Sequence, residues 1–191
     1  MISHSLVLGY HGCDASVARR ICAGEDRLKE SRNKYDWLGS GQYFWEDSCS
    51  RAARWASDEQ TKSSGKVQHP GVLGAVIALG NCLNLIDADH LEMVRTAHTA
   101  YLEICRASGE TVAQNRGADF RARYLDRAVF ETLHQLREQQ GLPPFDTVRA
   151  FFVEGHELYE SAGLRSLDHI QICVRNPRNI IGYFLPQEFA R

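Results

Sequence analysis

The pattern of apolar and polar positions predicts that the first forty residues form a strand, a helix and a loop. Residues 6–10 are mostly apolar and predict a buried strand that ends at His11. Apolar residues then recur at helical spacing over 17–22, after Asp14, a residue type that commonly caps helix N-termini. Residues 25–40 are polar and contain glycine, serine and asparagine, so they predict an irregular loop of the kind that often covers a ligand.

The middle of the chain predicts two more helices and another strand. A helical pattern covers 47–56, a polar segment follows at 57–71, and the apolar run 72–79 predicts a buried strand. A long amphipathic helix is then predicted from a capping box that starts at Asp89 to a stop at Gly109. The predicted apolar stripe of this helix consists of Leu91, Val94, Ala97, Tyr101 and Ile104.

The last third of the chain predicts one more helix and then three strands. The helix covers 120–140, with Phe120 as its first inward-facing residue. The strands are predicted at 148–153, 170–174 and 180–184, with turn residues between the last two. This order of elements predicts one α+β domain over residues 1–191, in which mixed or antiparallel sheets form the walls of a cleft and helices flank them.

Composition and charge exclude several broad classes of protein. The chain has 191 residues, 43% of them apolar, and a formal net charge of −2, as expected for one globular domain rather than a disordered chain. No basic pole indicates a nucleic-acid binder. Arginine greatly outnumbers lysine, however, and one cluster can form either a phosphate-binding face or a solvated helix face. This cluster consists of Arg116, Arg121, Arg123 and Arg127.

Cysteine usage and hydropathy favour a cytoplasmic protein. The six cysteines are scattered without any Cys-x-x-Cys pair, which predicts reduced thiols, and the N-terminus lacks a signal-peptide pattern. The longest apolar run, 72–79, is too short to cross a bilayer, so we expect no membrane association. His11 and Cys13 form a single potential ligand pair with no second pair, so we expect no metal site.

Two short segments carry the chemistry that this sequence suggests. The first is Tyr10-His11-Gly12, and the second is the run 37–56, which contains Gly39-x-Gly41, Tyr43 and Trp55. Aromatic rings supply stacking and cation–π attraction for a flat, cationic ring such as nicotinamide. Glycine lets the backbone approach a ligand closely because it has no side chain. Together the two segments predict a pocket for NAD.

These segments resemble the ADP-ribosyltransferases of the diphtheria-toxin and poly(ADP-ribose) polymerase type. The resemblance rests on His-Gly at the end of the first strand, on Gly-x-Gly-x-Tyr-Phe, and on the following helix with Ala-x-x-aromatic. It extends over most of the chain and implies a split β-sheet cleft with NAD as co-substrate. The first two positions of the family's His-Tyr-Glu signature match His11 and Tyr43, whereas the third position departs from the pattern.

The resemblance implies a role for each matching residue in NAD binding. His11 would hydrogen-bond a ribose hydroxyl, while the backbone of Gly12 would hold the carboxamide. Tyr43 would stack on nicotinamide above the turn that contains Gly41. Trp55 would close the other side of the ring, although it can equally be a core tryptophan. Ala52 stands where several relatives place a serine hydroxyl, so that contact with the carboxamide is absent.

The residue that matches the catalytic glutamate is Gln171. Breaking the bond between nicotinamide and ribose passes through a cationic sugar, which a carboxylate stabilises and a neutral amide does not. Gln171 therefore predicts slower chemistry, a substitute carboxylate, or no chemistry. Glu154, at the end of the preceding predicted strand, is the first candidate for that carboxylate, with a structural ion pair as the equal alternative. Residues 155–168 resemble the loop that positions the acceptor.

We therefore predict an NAD-dependent mono-ADP-ribosyltransferase that acts on a macromolecular acceptor, either a protein or a nucleic acid. Small transferases of this type resemble intracellular bacterial toxins of toxin–antitoxin or phage-defence systems, so an antitoxin protein is a possible partner. The alternative is a domain that binds NAD or ADP-ribose without turning it over and acts as a sensor or scaffold. A third alternative is an interaction domain whose aromatic residues simply form its core.

Overall fold

A computed structural model describes the chain at residues 3–63, 65–117 and 122–189. Within those ranges, seven strands form one sheet, and four α-helices pack on it or beside it. In chain order the elements are β1 Ser3–Asp14, α1 Ala15–Cys22, β2 Gln42–Glu46, α2 Cys49–Thr61, β3 Pro70–Gly80, β4 Cys82–Asn84, α3 Ala88–Ser108, α4 Tyr124–Gln139, β5 Thr147–Phe152, β6 His169–Val174 and β7 Ile180–Phe184. Short 3-10 turns cover Pro177–Asn179 and Gln187–Phe189.

The sheet has the strand order β4-β5-β6-β2-β1-β3-β7. Neighbouring strands in this order run antiparallel, except for β4 and β5, which run parallel. The prediction of an α+β protein with a mixed sheet is confirmed. The three-residue strand β4 was not predicted, because so short an apolar segment has no periodicity to detect.

The two central strands, β1 and β2, stay together over only a short distance. Their ladder contains the pairs Gly9↔Glu46 and Tyr10↔Trp45. On its other edge β1 pairs with β3 as far as Asp14, and β2 pairs with β6 from Gln42 to Trp45. The edges of β1 and β2 therefore separate from His11 onward. The β1–β2 ladder ends at that point, and we call this end of the ladder the split; it lies between the β7-β3-β1 and β2-β6-β5-β4 parts of the one sheet.

The strands carry helices on both faces of the sheet. Alternation along β2 places Phe44 in the cluster beneath α1, and Tyr43 and Trp45 on the opposite face. On that opposite face, α2 contributes Ala52 to a small cluster with Trp45, while α3 and α4 cover the β5-β6 side. The cluster beneath α3 and α4 contains Leu38, Leu83, Ala97, Val129, Phe130, Leu133, Phe145, Val148, Ala150 and Cys173.

The helix caps confirm part of the sequence prediction and correct part of it. Asp14 caps α1, where its carboxylate accepts a hydrogen bond from the Ser16 N–H. Gly109 ends α3 in the left-handed conformation, as predicted. The N-cap of α3 is Asp87 rather than Asp89, because the Asp87 carboxylate accepts the hydrogen bond from the Asp89 N–H.

The predicted apolar stripe of α3 includes residues that the structure leaves exposed. Leu91 and Ile104 remain 51% and 48% exposed, whereas Ala97 and Cys105 are buried. The physical reason is that α3 packs mainly on α4 and does not lie flat on the sheet. Its neighbour α4 begins at Tyr124, and the predicted inward residue Phe120 lies outside the described residues.

Two other predicted boundaries were wrong. The first strand is longer than 6–10, since it covers Ser3–Asp14, and Leu6 within it is 63% exposed rather than buried. The helix predicted at 47–56 begins later and ends later, at Cys49–Thr61. Its last turn contains polar residues that face solvent, so apolar periodicity alone does not detect it.

Candidate functional site

His11 lies where β1 and β2 separate, and its ring bridges the gap between them. Its Nδ1 lies 2.8 Å from the backbone oxygen of Tyr43. Because a carbonyl oxygen only accepts hydrogen bonds, Nδ1 carries the proton in the neutral ring and Nε2 carries a lone pair. Desolvation lowers the pKa of His11, and the bond to the Tyr43 carbonyl opposes this effect only in part. The neutral ring thus presents one hydrogen-bond acceptor at the split.

Gly12, the next residue, contacts helix α2. A Cβ atom on Gly12 would lie 2.3 Å from the backbone oxygen of Ala52 and 3.0 Å from Cε3 of Trp55. Any side chain at this position would push α2 away from the sheet. The Trp55 ring centroid lies 6.5 Å from that of His11 and 6.1 Å from that of Trp45. Three of the predicted NAD-binding residues therefore meet beside the split.

Tyr43 contacts His11 through its backbone oxygen, and its ring faces away from His11, Gly12 and Trp55. Its hydroxyl donates to the backbone oxygen of Gly39 at 2.7 Å and accepts from the Leu38 N–H at 3.1 Å. The half-buried ring packs against the cluster beneath α3 and α4, and desolvation strongly raises the pKa of the phenol. The ring holds the 38–41 turn in place, a role that the sequence did not predict.

Gly41 has a structural reason to be glycine that is independent of any ligand. A Cβ atom there would lie 2.4 Å from the sulfur of Cys173 and 2.7 Å from the backbone oxygen of Val174. The backbone N–H and C=O of Gly41 are both hydrogen-bonded to Ser31. Gly41 therefore permits the close packing of β2 on β6.

Gln171 lies directly opposite Trp45 in the β2–β6 ladder. Its side-chain oxygen accepts a hydrogen bond of 2.5 Å from the indole N–H of Trp37. Because indole only donates, the bonded atom of the amide must be the oxygen, which leaves the NH₂ group as the other hydrogen-bonding group of the side chain. Among the described residues, no carboxylate is hydrogen-bonded to Gln171. The amide therefore offers donors, where a cationic sugar needs an acceptor or a negative charge.

Glu154 forms an ion pair with Arg51 on α2. The Nη2–Oε2 distance is 2.6 Å, and the two side chains are only 11% and 21% exposed. The Arg51 guanidinium also lies 5.1 Å from the ring centroid of Trp45. A weaker contact of 3.9 Å joins Glu154 to Nδ1 of His169. The geometry thus contains the structural ion pair that the sequence left as one alternative, and Glu154 faces the same region as Trp45.

A row of aromatic rings extends from this ion pair along β5 and β6. Ring centroids lie 4.8 Å apart for Trp37 and Phe152, and 5.2 Å apart for Phe152 and His169. Arg123, at the start of α4, places its guanidinium 4.5 Å from the Phe152 centroid and 5.2 Å from that of Trp37. Sequence reasoning singled out none of these contacts, because each joins segments that are far apart along the chain.

The predicted arginine cluster is only partly a surface feature. Arg123 stacks on the aromatic row, and Arg127 pairs with Glu131 at 3.6 Å and donates to the hydroxyl of Ser40 at 3.2 Å. Glu131 in turn accepts from the backbone N–H of Ser40. Arg127 thus links the 38–41 turn to α4, and Arg123 links the aromatic row to α4. Arg121 lies outside the described residues.

Two cavities lie along the α3–α4 pair. One, of about 430 Å³, is lined by Trp37, Leu91, Val94, Leu125 and Phe130 among others. The second, of about 280 Å³, lies between Met93 and Leu142. Neither is lined by His11, Tyr43 or Trp55. The predicted pocket in which His11 and the Tyr43 ring share one cavity is therefore not among these spaces.

The described ranges hold neither a metal-binding cluster nor a membrane-spanning helix. There, no group of three or more His, Cys, Asp and Glu side chains is placed to hold a metal ion. In the same ranges, no helix is long and apolar enough to cross a bilayer. All six cysteines are unpaired.

Comparison with known proteins finds no match: no family model, no curated protein and no solved structure matches this chain.

Proposed function

We propose that this protein is an NAD-dependent mono-ADP-ribosyltransferase, which cleaves the bond between nicotinamide and ribose and transfers ADP-ribose to a macromolecule. The observation that carries the proposal is the split of the sheet at His11. There, a neutral imidazole, a glycine backbone and the Trp55 ring converge at the opening between two strands.

The orientation of His11 suits a ribose hydroxyl. Its Nδ1 proton is already donated to the Tyr43 carbonyl, so the free Nε2 can accept a hydrogen bond from a hydroxyl group. The lowered pKa keeps the ring neutral near pH 7, which avoids repulsion between an imidazolium and the cationic nicotinamide ring. Trp55, next to it, has an aromatic face for that ring.

The environment of Gln171 argues for slow transfer of a single ADP-ribose unit. Its oxygen is bound by Trp37, and the nearest candidate carboxylate, Glu154, is bound by Arg51. Electrostatic stabilisation of the sugar cation is typically worth about 100- to 1000-fold in rate, and neither group is free to supply all of it. Chain elongation needs a carboxylate that also activates the acceptor hydroxyl, so polymer synthesis is disfavoured.

The acceptor and setting are part of the same proposal. The connection 155–168 carries exposed apolar side chains, among them Leu158, Tyr159 and Leu164 at 54%, 66% and 56% exposure, which suits contact with a macromolecule. We propose a protein or a nucleic acid as acceptor, action in the cytoplasm where unpaired cysteines remain reduced, and a toxin role with an antitoxin protein as partner.

The direct test is to incubate the purified protein with NAD, labelled in its ADP-ribose part, and a cell lysate. We expect release of nicotinamide and label on macromolecules, and digestion with nuclease or protease then identifies the acceptor. His11→Ala should weaken NAD binding roughly 3- to 10-fold, as expected for one neutral hydrogen bond. His98→Ala, on α3, serves as the matched control and should bind NAD normally. A wild-type protein that does not bind NAD would contradict the proposal.

A second candidate is a domain that binds NAD or ADP-ribose without turnover. The observation that favours it is the absence, among the described residues, of a carboxylate bonded to Gln171. This candidate predicts saturable NAD binding that depends on His11 with no release of nicotinamide at any enzyme concentration.

A further inference from the structure

Several buried polar atoms on the Gln171 side of the split have no hydrogen-bond partner. In the part of the chain that the structure describes, they are Nε1 of Trp45, Nε of Arg51, Nε of Arg123 and Nε2 of His169. Buried polar groups without partners are rare in proteins and often mark a site that a water or a ligand fills. Trp45 and His169 are the most deeply buried of the four, at 8% and 7% exposure.

The two free atoms of Trp45 and His169 are complementary. The indole nitrogen of Trp45 can only donate a hydrogen bond. Nδ1 of His169 lies 2.7 Å from the backbone oxygen of Leu167, so Nδ1 carries the proton and the unpartnered Nε2 is an acceptor in the neutral ring. The two ring centroids lie 6.1 Å apart. A hydroxyl group both accepts and donates, so its hydrogen-bonding chemistry matches both atoms, whereas a simple anion or cation matches only one.

We propose that Trp45 and His169 form a binding site for one hydroxyl group, and that Nε2 of His169 takes the proton of this hydroxyl when it attacks the sugar. The occupant is a water molecule in the free protein and the acceptor hydroxyl, or a hydrolytic water, during the reaction. The catalytic part rests on the proposed transferase function, whereas the hydroxyl site itself does not.

The chemical step balances without any further reactant. The hydroxyl oxygen forms a bond to the anomeric carbon of the ribose, and the carbon–nitrogen bond to nicotinamide breaks, so nicotinamide leaves as a neutral molecule with the electron pair. The proton of the hydroxyl passes to Nε2 of His169, which releases it to solvent after the product leaves. Gln171, whose side-chain oxygen is bound by Trp37, is not a base and cannot perform this step.

Position also favours His169 for this role. It precedes Gln171 by two residues on β6, so both side chains lie on the same face of the sheet as Trp45. The bond to Leu167 fixes the ring, and the ring of Phe152 packs beside it with centroids 5.2 Å apart. A base held rigidly in one tautomer is what general base catalysis requires.

The groups that face His169 set the sign of the pH dependence. Burial of the ring is the largest effect and lowers the pKa of His169, and the Arg51 charge lowers it further. The bond to the Leu167 carbonyl and the charges of Glu154 and Asp168 raise this pKa and offset the lowering only in part. The neutral, proton-accepting ring is therefore present at neutral pH and is lost as the pH falls below the usual histidine range. We expect the rate of nicotinamide release to fall on the acid side for this reason.

The first experiment tests the hydroxyl site in the intact 191-residue chain without any activity assay. Nuclear magnetic resonance of ¹⁵N-labelled protein should show His169 protonated at Nδ1 and a nuclear Overhauser effect between the Trp45 indole proton and a bound water. A His169 ring protonated at Nε2, or an indole proton with no contact to water, would overturn the proposal.

The second experiment tests the proton transfer, with NAD as the probe. His169→Gln should lower the rate of nicotinamide release about 100-fold and remove the acid limb of the pH profile, with NAD affinity within about threefold of wild type. The matched control is His134→Gln on α4, another histidine whose Nε2 is buried without a partner in the described ranges, and it should leave rate and profile unchanged. Retention of the wild-type rate and acid limb in His169→Gln would refute the base assignment.

Two further outcomes separate this inference from the proposed function. If wild type binds NAD but releases no nicotinamide, both the transferase proposal and the proton transfer fail. The hydroxyl site is then still tested by the nuclear Overhauser effect between the Trp45 indole proton and water. If His169→Gln does not fold, Trp45→Phe removes the donor while keeping an aromatic ring. This variant should slow nicotinamide release about tenfold and retain the acid limb; an unchanged rate would count against the site.

Discussion

The two sides of the split in the sheet differ in how their candidate residues are held. On the β1 side, His11 and Gly12 follow one another along the chain and meet Trp55, which lies in the helix directly after β2. On the β6 side, Gln171 and Glu154 are each bound by a partner more than a hundred residues away, Trp37 and Arg51 respectively.

This contrast shows that a short sequence motif can specify the β1 half of the site but not the β6 half. The β1 side depends on side-chain volume and close backbone approach, which Gly12 and its neighbours determine locally. The β6 side depends on which atom of each polar group remains free after its partner has bound. Under the proposed function, the first side recognises the ligand and the second side sets the rate of the chemical step.

The largest expected effect comes from restoring a carboxylate on the β6 side. In Gln171→Glu, one carboxylate oxygen can accept from Trp37 as the amide oxygen does now, and the other can face the sugar. We expect nicotinamide release to rise about 100-fold, the usual value of one electrostatic contact to the transition state. Gln140→Glu, an exposed change at the end of α4, is the charge-matched control and should have no effect. An unaltered rate of nicotinamide release in Gln171→Glu would show that this residue does not act in the chemical step.

Next in size is the effect of adding a methyl group on the β1 side. Gly12→Ala places a carbon 2.3 Å from the backbone oxygen of Ala52, so α2 must move. We expect a loss of about 2 kcal/mol in the free energy of unfolding, together with weaker NAD binding. Denaturant unfolding and calorimetric titration measure the two quantities. Gly182→Ala, on β7, is the matched control because its Cβ would meet open space. Equal stability of the two variants would show that α2 does not depend on Gly12.

The Arg51–Glu154 ion pair should couple β5 to α2 by an intermediate amount. A double-mutant cycle with Arg51→Ala and Glu154→Ala should give a coupling energy of about 1.5 kcal/mol, since the pair is largely buried. The exposed pair Arg95–Glu92 on α3 is the control and should couple by less than about 0.5 kcal/mol. If both cycles give the same small value, Glu154 is free to act in catalysis rather than to hold α2.

The smallest expected effect concerns the hydroxyl of Tyr43. Tyr43→Phe removes the bonds to Gly39 and Leu38 but keeps the ring, so we expect a loss of about 1 kcal/mol in stability. Tyr35→Phe, at a residue that is 52% exposed, should be neutral.

The Tyr43 variant also tests the third alternative, an interaction domain whose aromatic residues are only core. A folded Tyr43→Phe protein that still binds NAD through His11 is inconsistent with that alternative. Tyr43→Ala is a poorer test, because the ring packs against the cluster beneath α3 and α4 and its removal destabilises the fold whatever the function.

Local sequence predicted many of the elements but not their mutual placement. The strand at 180–184, the cap at Asp14 and the stop at Gly109 were all predicted correctly, because each depends on residues adjacent in sequence. The pairing of β2 with β6, which places Trp45 opposite Gln171, was not predictable, since strand register depends on the packing of the whole sheet.

The sequence by itself determined the α+β composition of this protein, the sites where close backbone approach requires glycine, and the amide at position 171. Only the tertiary structure decided that the Tyr43 ring faces the α3–α4 cluster and that Trp37 binds the oxygen of Gln171. It also left an acceptor atom of His169 and a donor atom of Trp45 buried and without a partner among the described residues. The physical reason is that propensity and residue volume act between chain neighbours, whereas a hydrogen bond depends on which distant group the fold brings within about 3 Å.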